Sequence, residues 1–223
     1  MNWWVHNAWE QGGAVELTSW IFWVLLSITL HELAHGWAAL WEGDTTPRDL
    51  NRLTANPLVH MGQTSLIVFA IIGFAYGMMP VRPDRFRHGR LGEAIVAFAG
   101  PMMNLALAFI SLTLLGIIVA ASKDSAFEAM KSMHTFLFMG GFLNLVLFAL
   151  NLLPIPPLDG SRMLAAGSLH IRRFHMQPQA QIMAFALLIA IFFFGAASSV
   201  IGAAQELAVW WASMVAQVLA GAA

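Results

Sequence analysis

His31-Glu32-Leu33-Ala34-His35 sets two imidazoles four residues apart with a carboxylate next to the first. On a helix that spacing stacks both rings on one face, within reach of one tetrahedral ion, and leaves Glu32 beside that face to hold water at the metal. Chance supplies three fixed positions in five in about 1% of chains of this size, so the motif needs support from its surroundings. It has that support. Two His and a Glu inside an apolar run are costly to bury in hydrocarbon, and ionisable groups at that depth face a cavity and serve function.

A catalytic zinc takes three protein ligands and keeps a fourth position open for water. Cysteine is absent, so the third ligand must be His, Asp or Glu. The extended three-histidine version of the motif fails, because Ala38 and Trp41 stand where it requires Gly and His. Among the later carboxylates, Glu93, Glu128, Glu206, Asp84 and Asp124 sit in charged or hydrophilic neighbourhoods that explain them. Asp159 stands apart. It follows Asn151-Leu152-Leu153-Pro154-Ile155-Pro156-Pro157-Leu158, whose prolines forbid a regular helix and are expected to hold the chain extended as it leaves an apolar span. An isolated carboxylate there calls for a cation.

The elements that must position these groups are membrane helices. Of 223 residues, 59% are hydrophobic and 10% charged, and the mean hydropathy is +0.70, far more apolar than a soluble domain. A net charge of -1 and no long basic block exclude nucleic acid as a partner. The fold class is an all-α polytopic membrane protein with five to six transmembrane helices. Apolar stretches at about 17–42, 91–121, 133–153, 179–197 and 199–220 are long enough to span, at roughly 20 residues each. A shorter, glycine-containing sixth at 64–80 lies within a re-entrant or membrane-associated segment around 43–90. The expected organisation is one membrane-embedded domain over 1–223, with a catalytic core at about 17–170 and two additional C-terminal helices. The N-terminus lacks the basic region of a cleavable signal, and Trp3, Trp4 and Trp9 suit a lipid headgroup boundary.

Basic residues orient the bundle. If 64–80 re-enters, Arg48, Arg52, Arg82, Arg85, Arg87, Arg90, Arg162, Arg172 and Arg173 lie inside and only Lys123 and Lys131 outside, nine against two of the eleven. If it spans, the better division is seven against four. The first arrangement also brings His35 and Asp159 to the same side, whereas the second separates them by most of the membrane.

With these residues in view, the chain resembles the site-2 protease family of intramembrane metallopeptidases, in a minimal form without an inserted peptide-binding or appended regulatory domain. HELAH at 31–35 corresponds to the family's zinc helix, AGPMMN at 99–104 to its Gly-Pro-x-x-Asn helix, and NLLPIPPLDG at 151–160 to its third-ligand signature. The resemblance implies His31, His35 and Asp159 as ligands to one Zn2+ per chain, Glu32 as base, and Asn151 near the reacting carbonyl. The sequence departs from the family where Met61-Gly62-Gln63 replaces Asp-Pro-Gly, and Gly77 to Pro83 follows the Lys-Pro-Val-Pro region only loosely.

The expected reaction is hydrolysis of a peptide bond within or beside a transmembrane segment of a single-span substrate protein, with the lipid bilayer as the other partner. Residues that unwind a helix, Gly, Pro or Asn, should favour the cut, with 154–157 as an extended edge for pairing. Pro101 is expected to disrupt its helix and line a water path. The protein is expected in the plasma membrane with its site nearer the cytoplasm. A metal-binding or transport protein and an inactive protease-like scaffold are the competing readings. Glu32 argues against the first, and the complete residue set against the second. His60 reads as a solvated or hydrogen-bonded loop histidine, His170 and His175 as part of an interfacial segment, and the thirteen methionines as packing.

Overall fold

Within hydrocarbon a backbone must satisfy its own polar groups, and this chain does so with helices. The computed structural model describes residues 4–122, 130–175 and 195–221, and singly 177, 179, 183, 186, 187 and 190. In order they form α1 (Trp4–Trp41), α2 (Thr46–Asp49), α3 (Pro57–Ile72), a 3-10 turn (Pro83–Arg85), α4 (Arg90–Ala121), α5 (Lys131–Asn151), α6 (Asp159–Gly167), α7 (Leu169–His175) and α8 (Ala196–Gly221). Among the described residues there is no strand.

Three of these helices, α1, α4 and α5, are long and apolar enough to cross a membrane. The expected span at 179–197 lies largely outside the described residues. That at 199–220 is α8, which carries Ser198, Ser199, Gln205 and Glu206 in its first half and falls outside the three. α1, α4 and α5 pack on one another, and α8 lies against α4 and α5. Small residues let them close up: a side-chain carbon on Gly140 would strike Trp23 of α1, and one on Gly141 would strike Leu112 of α4.

The segment after α2 doubles back on itself. α3 starts at Asn56, whose side chain accepts from the Leu58 amide at 3.0 Å, with Pro57 pre-set for the first turn. Its sixteen residues, broken at Gly62 where φ is 67°, give at most about 24 Å of helix, short of a crossing. α3 stops at Gly73, in the left-handed region at φ 76°. The chain then returns without helix along its outgoing arm. Met78 donates to the His60 carbonyl at 3.1 Å, and the Ser65 hydroxyl bridges the Tyr76 amide (2.8 Å) and carbonyl (2.6 Å). The arms lie side by side, so 57–82 is a hairpin.

α1 begins earlier than the apolar run suggests. Gly13 sits at φ 64°, a conformation that suits glycine, and divides α1 into a short arm and a long one. The short arm brings Trp4 to the hairpin tip, where its indole donates to the Ala70 carbonyl at 3.1 Å and packs on Phe69. At the other end of α1, two fully buried carboxylates fasten the chain. Asp44 accepts from Thr46 and from the Arg82 amide at 2.6 Å. Glu42 accepts from the backbone and ring of His88.

Candidate metal centre

The four-residue spacing in α1 does what it predicts. His31 and His35 project from one face, and their Nε2 atoms stand 3.0 Å apart. Asp159, in the first turn of α6, brings Oδ2 to 3.0 Å from His31 Nε2 and 3.3 Å from His35 Nε2. All three side chains are buried.

What lies behind the rings decides what lies between them. His31 Nδ1 is 2.6 Å from Asn104 Oδ1, and His35 Nδ1 is 2.7 Å from the Val96 carbonyl, both on α4. A carbonyl oxygen only accepts, so each Nδ1 carries a ring proton, and in the neutral ring Nε2 is left as the lone-pair atom. With both rings neutral, two lone pairs and a carboxylate oxygen converge at 3.0 to 3.3 Å, an arrangement that a shared cation relieves. A tetrahedral zinc with bonds of 2.0–2.1 Å sets its ligand atoms roughly 3.3 Å apart. The triangle and the donor types both fit that ion. Among the described residues this is the one group of three or more potential ligands close enough to share a metal.

α4 closes the back of the site. A side-chain carbon on Gly100 would fall 2.5 Å from both Nε2 atoms, so only glycine lets this helix approach so closely. Asn104 follows one turn later on the same face, which gives AGPMMN its physical sense. Pro101 departs from expectation: α4 continues through it from Arg90 to Ala121. It is fully buried and absent from the cavity wall.

A cavity of about 570 Å³ opens on the cluster. Glu32 shares its wall, and the Glu32 carboxylate lies against the hairpin's return arm so closely that a side-chain carbon on Gly77 would fall 2.6 Å from Oε1. Both hairpin arms contribute, through Val59 to Gly62 and Phe74 to Met79. Asn151 also lines the cavity, with its amide NH2 given to the Leu147 carbonyl at 3.0 Å. Arg162 lies one helical turn beyond Asp159, its Nη1 3.9 Å from Oδ1.

Residues 152–158 are not extended as expected. They form bends and turns, with Leu153 donating to Leu150 and Leu158 to Ile155. The prolines stop α5 but the chain must reverse at once to start α6, and that reversal is what delivers Asp159. His60 is buried, with Nε2 2.6 Å from the Thr54 carbonyl, so it is hydrogen-bonded rather than solvated. The close approaches of Gly77 and Gly100 were invisible in sequence, because they are contacts between distant segments. Asn104 stood in a motif, but its bond to His31 had no sequence signal.

Comparison with known proteins gives matches consistent with this geometry. The family model for peptidase family M50 matches residues 113–195. YwhC of Bacillus subtilis (strain 168), named as a candidate zinc metalloprotease, is 39% identical over 142 residues, which is 63% of this chain and 65% of that protein. Two proteins named Rip2, also candidate zinc metalloproteases, match as well. That of Mycolicibacterium smegmatis is 36% identical over 143 residues, 61% of this chain and 52% of its own length. That of Mycobacterium tuberculosis (strain ATCC 25618 / H37Rv) is 30% identical over 180 residues, 76% and 64% respectively. The chain thus matches less than two thirds of the length of each of these relatives. No solved structure gives a significant match.

Proposed function

We propose that the chain, which the model of peptidase family M50 matches over residues 113–195 and which is similar to candidate zinc metalloproteases, is a membrane metalloprotease of the site-2 type that hydrolyses a peptide bond within or beside a transmembrane segment of a substrate protein. The observation that carries this reading is the meeting of His31, His35 and Asp159 on a cavity wall that Glu32 shares.

In this reading His31, His35 and Asp159 hold one zinc ion. When bound, zinc supplies a Lewis acid that acidifies water and polarises a carbonyl. Glu32 takes the proton of the attacking water and delivers it to the leaving amine. The Gly77 backbone keeps the carboxylate on the cavity side of α1. Asn151 donates to the developing oxyanion or to the substrate backbone, worth about 3 kcal/mol for one such donor. To do so it exchanges its bond with Leu147 for one with substrate, a switch that holding it at a helix end permits.

A site built at the depth of α1 implies a substrate bond at that depth, and a helical carbonyl there is already hydrogen-bonded. The substrate must unwind locally, so single-span proteins with Gly, Pro or Asn near the cut are favoured. Residues 154–157, expected as an extended edge for pairing, are bends and turns and offer no such edge. The nine arginines of the hairpin side and α6–α7 support, by the positive-inside rule, a site nearer the cytoplasm, and the plasma membrane is the proposed location. A single domain with its core at about 17–170 is part of the same proposal.

The test is cleavage of tagged single-span substrates by detergent-purified protein, with the residues around the cut either helix-breaking or all Leu. Faster cleavage of the helix-breaking set, stopped by a zinc chelator and restored by zinc, supports the reading. Chelator-insensitive cleavage, or none with any substrate at full zinc occupancy, contradicts it.

A further inference from the structure

Behind His31 a chain of hydrogen bonds runs through three helices. Asn104 Oδ1 of α4 meets His31 Nδ1 at 2.6 Å, Asn104 Nδ2 donates to Asn144 Oδ1 of α5 at 2.9 Å, and Asn144 Nδ2 donates to the Gly140 carbonyl at 2.8 Å. Both asparagines are fully buried, so no water replaces a missing partner. The far end fixes every direction. The Gly140 carbonyl only accepts, so Asn144 must turn its NH2 toward it and its oxygen toward Asn104. Asn104 must then offer its own NH2 to Asn144, which leaves its oxygen for His31. His31 must answer with Nδ1–H, so in its neutral form the ring keeps its lone pair on Nε2.

We infer that Asn144 is a positioning residue for the metal: from the second helix away, it sets the tautomer of His31 and so holds Nε2 ready as a ligand. The inference rests on the zinc reading above. Without Asn144, the Asn104 amide has no reason to keep its NH2 turned away from His31. It is free to flip, offer NH2 to Nδ1, and drive the ring proton onto Nε2, where it competes with the metal. Remote partners of metal-bound histidines act in this way, and losing one costs about 10-fold to 100-fold in metal affinity. Nothing in sequence marks Asn144, which stands in an apolar helix outside the three motifs.

Two variants separate hydrogen-bond direction from packing. Asn144→Leu keeps the branched shape, though it is larger, and removes both bonds. Asn144→Asp, which burial keeps protonated, keeps an acceptor toward Asn104 and a donor toward Gly140. Zinc affinity measured by competition with a chelating indicator should fall at least about 10-fold in Asn144→Leu and stay within about 3-fold of wild type in Asn144→Asp. Unchanged affinity in Asn144→Leu, or equal loss in both, overturns the inference. If Asn144→Leu does not fold, the zinc-free wild type decides: nitrogen NMR of His31 should report a protonated Nδ1 and bare Nε2, and the opposite tautomer overturns it. Failure of the zinc reading itself looks different, since wild type would then bind no stoichiometric zinc whatever tautomer His31 adopts.

Discussion

Gly100 of α4 faces His31 so closely that a side-chain carbon on it would lie 2.5 Å from Nε2, and as close to the Nε2 of His35. The glycine is therefore part of the metal centre's shape, and Gly100→Ala should displace the metal or push α4 away. Zinc affinity should drop by about 10-fold or more, and cleavage should be lost with it. An alanine variant that binds zinc as wild type does would contradict the geometry.

Gly77 does for Glu32 what Gly100 does for the histidines. Gly77→Ala would press on the Glu32 carboxylate, moving the base and leaving the ligands alone. The expected result is full zinc occupancy with kcat lower by about 100-fold, the usual scale for losing a positioned general base. A fall in zinc content would show that the hairpin supports the metal instead.

For Asn151, truncation to Ala should lower kcat by about 100-fold, the loss seen when one oxyanion donor is removed. KM and zinc content should hardly move. Undiminished turnover would leave the side chain with only its bond to Leu147.

Acid sensitivity has a separate source, beyond the membrane end of α1. Burial pushes the Glu42 carboxyl up, but the hydrogen bonds from His88 and the charges of His88 and Arg87 outweigh it and hold the group below its ordinary range. A depressed carboxyl contributes stability that is present above its unfolded value and lost as pH falls through the folded one. Thermal unfolding followed from about pH 6 downward should therefore lose stability below about pH 4.5. Glu42→Gln should be less stable than wild type at neutral pH and flatter through that range. Identical profiles would remove Glu42 from the account.

Much of the site could be read from the sequence because its signals are local. The two histidines are four residues apart on one helix, and Asp159 is a lone carboxylate after a proline-rich helix stop. Signals that depend on two distant segments meeting were silent. In sequence Asn144 reads as a stray polar residue, and only the fold sets Asn104 beside it; nothing in Gly77 announces Glu32. The fold follows the same division. α4 and α5 match their apolar runs within two residues at each end. α1 begins thirteen residues before its expected start, since helix continues across Gly13 through a polar stretch that docks on the hairpin. The proline run misled because prolines restrict φ without dictating direction, and here they turn the chain rather than extend it.

The most direct test of the central claim is Glu32→Gln, which keeps the shape of the side chain and removes the base. Purified wild type and variant should each hold one zinc per chain, and the variant should fail to cleave a single-span substrate that wild type cuts within its span. Cleavage by the variant at the wild-type rate, with zinc bound, would contradict the account.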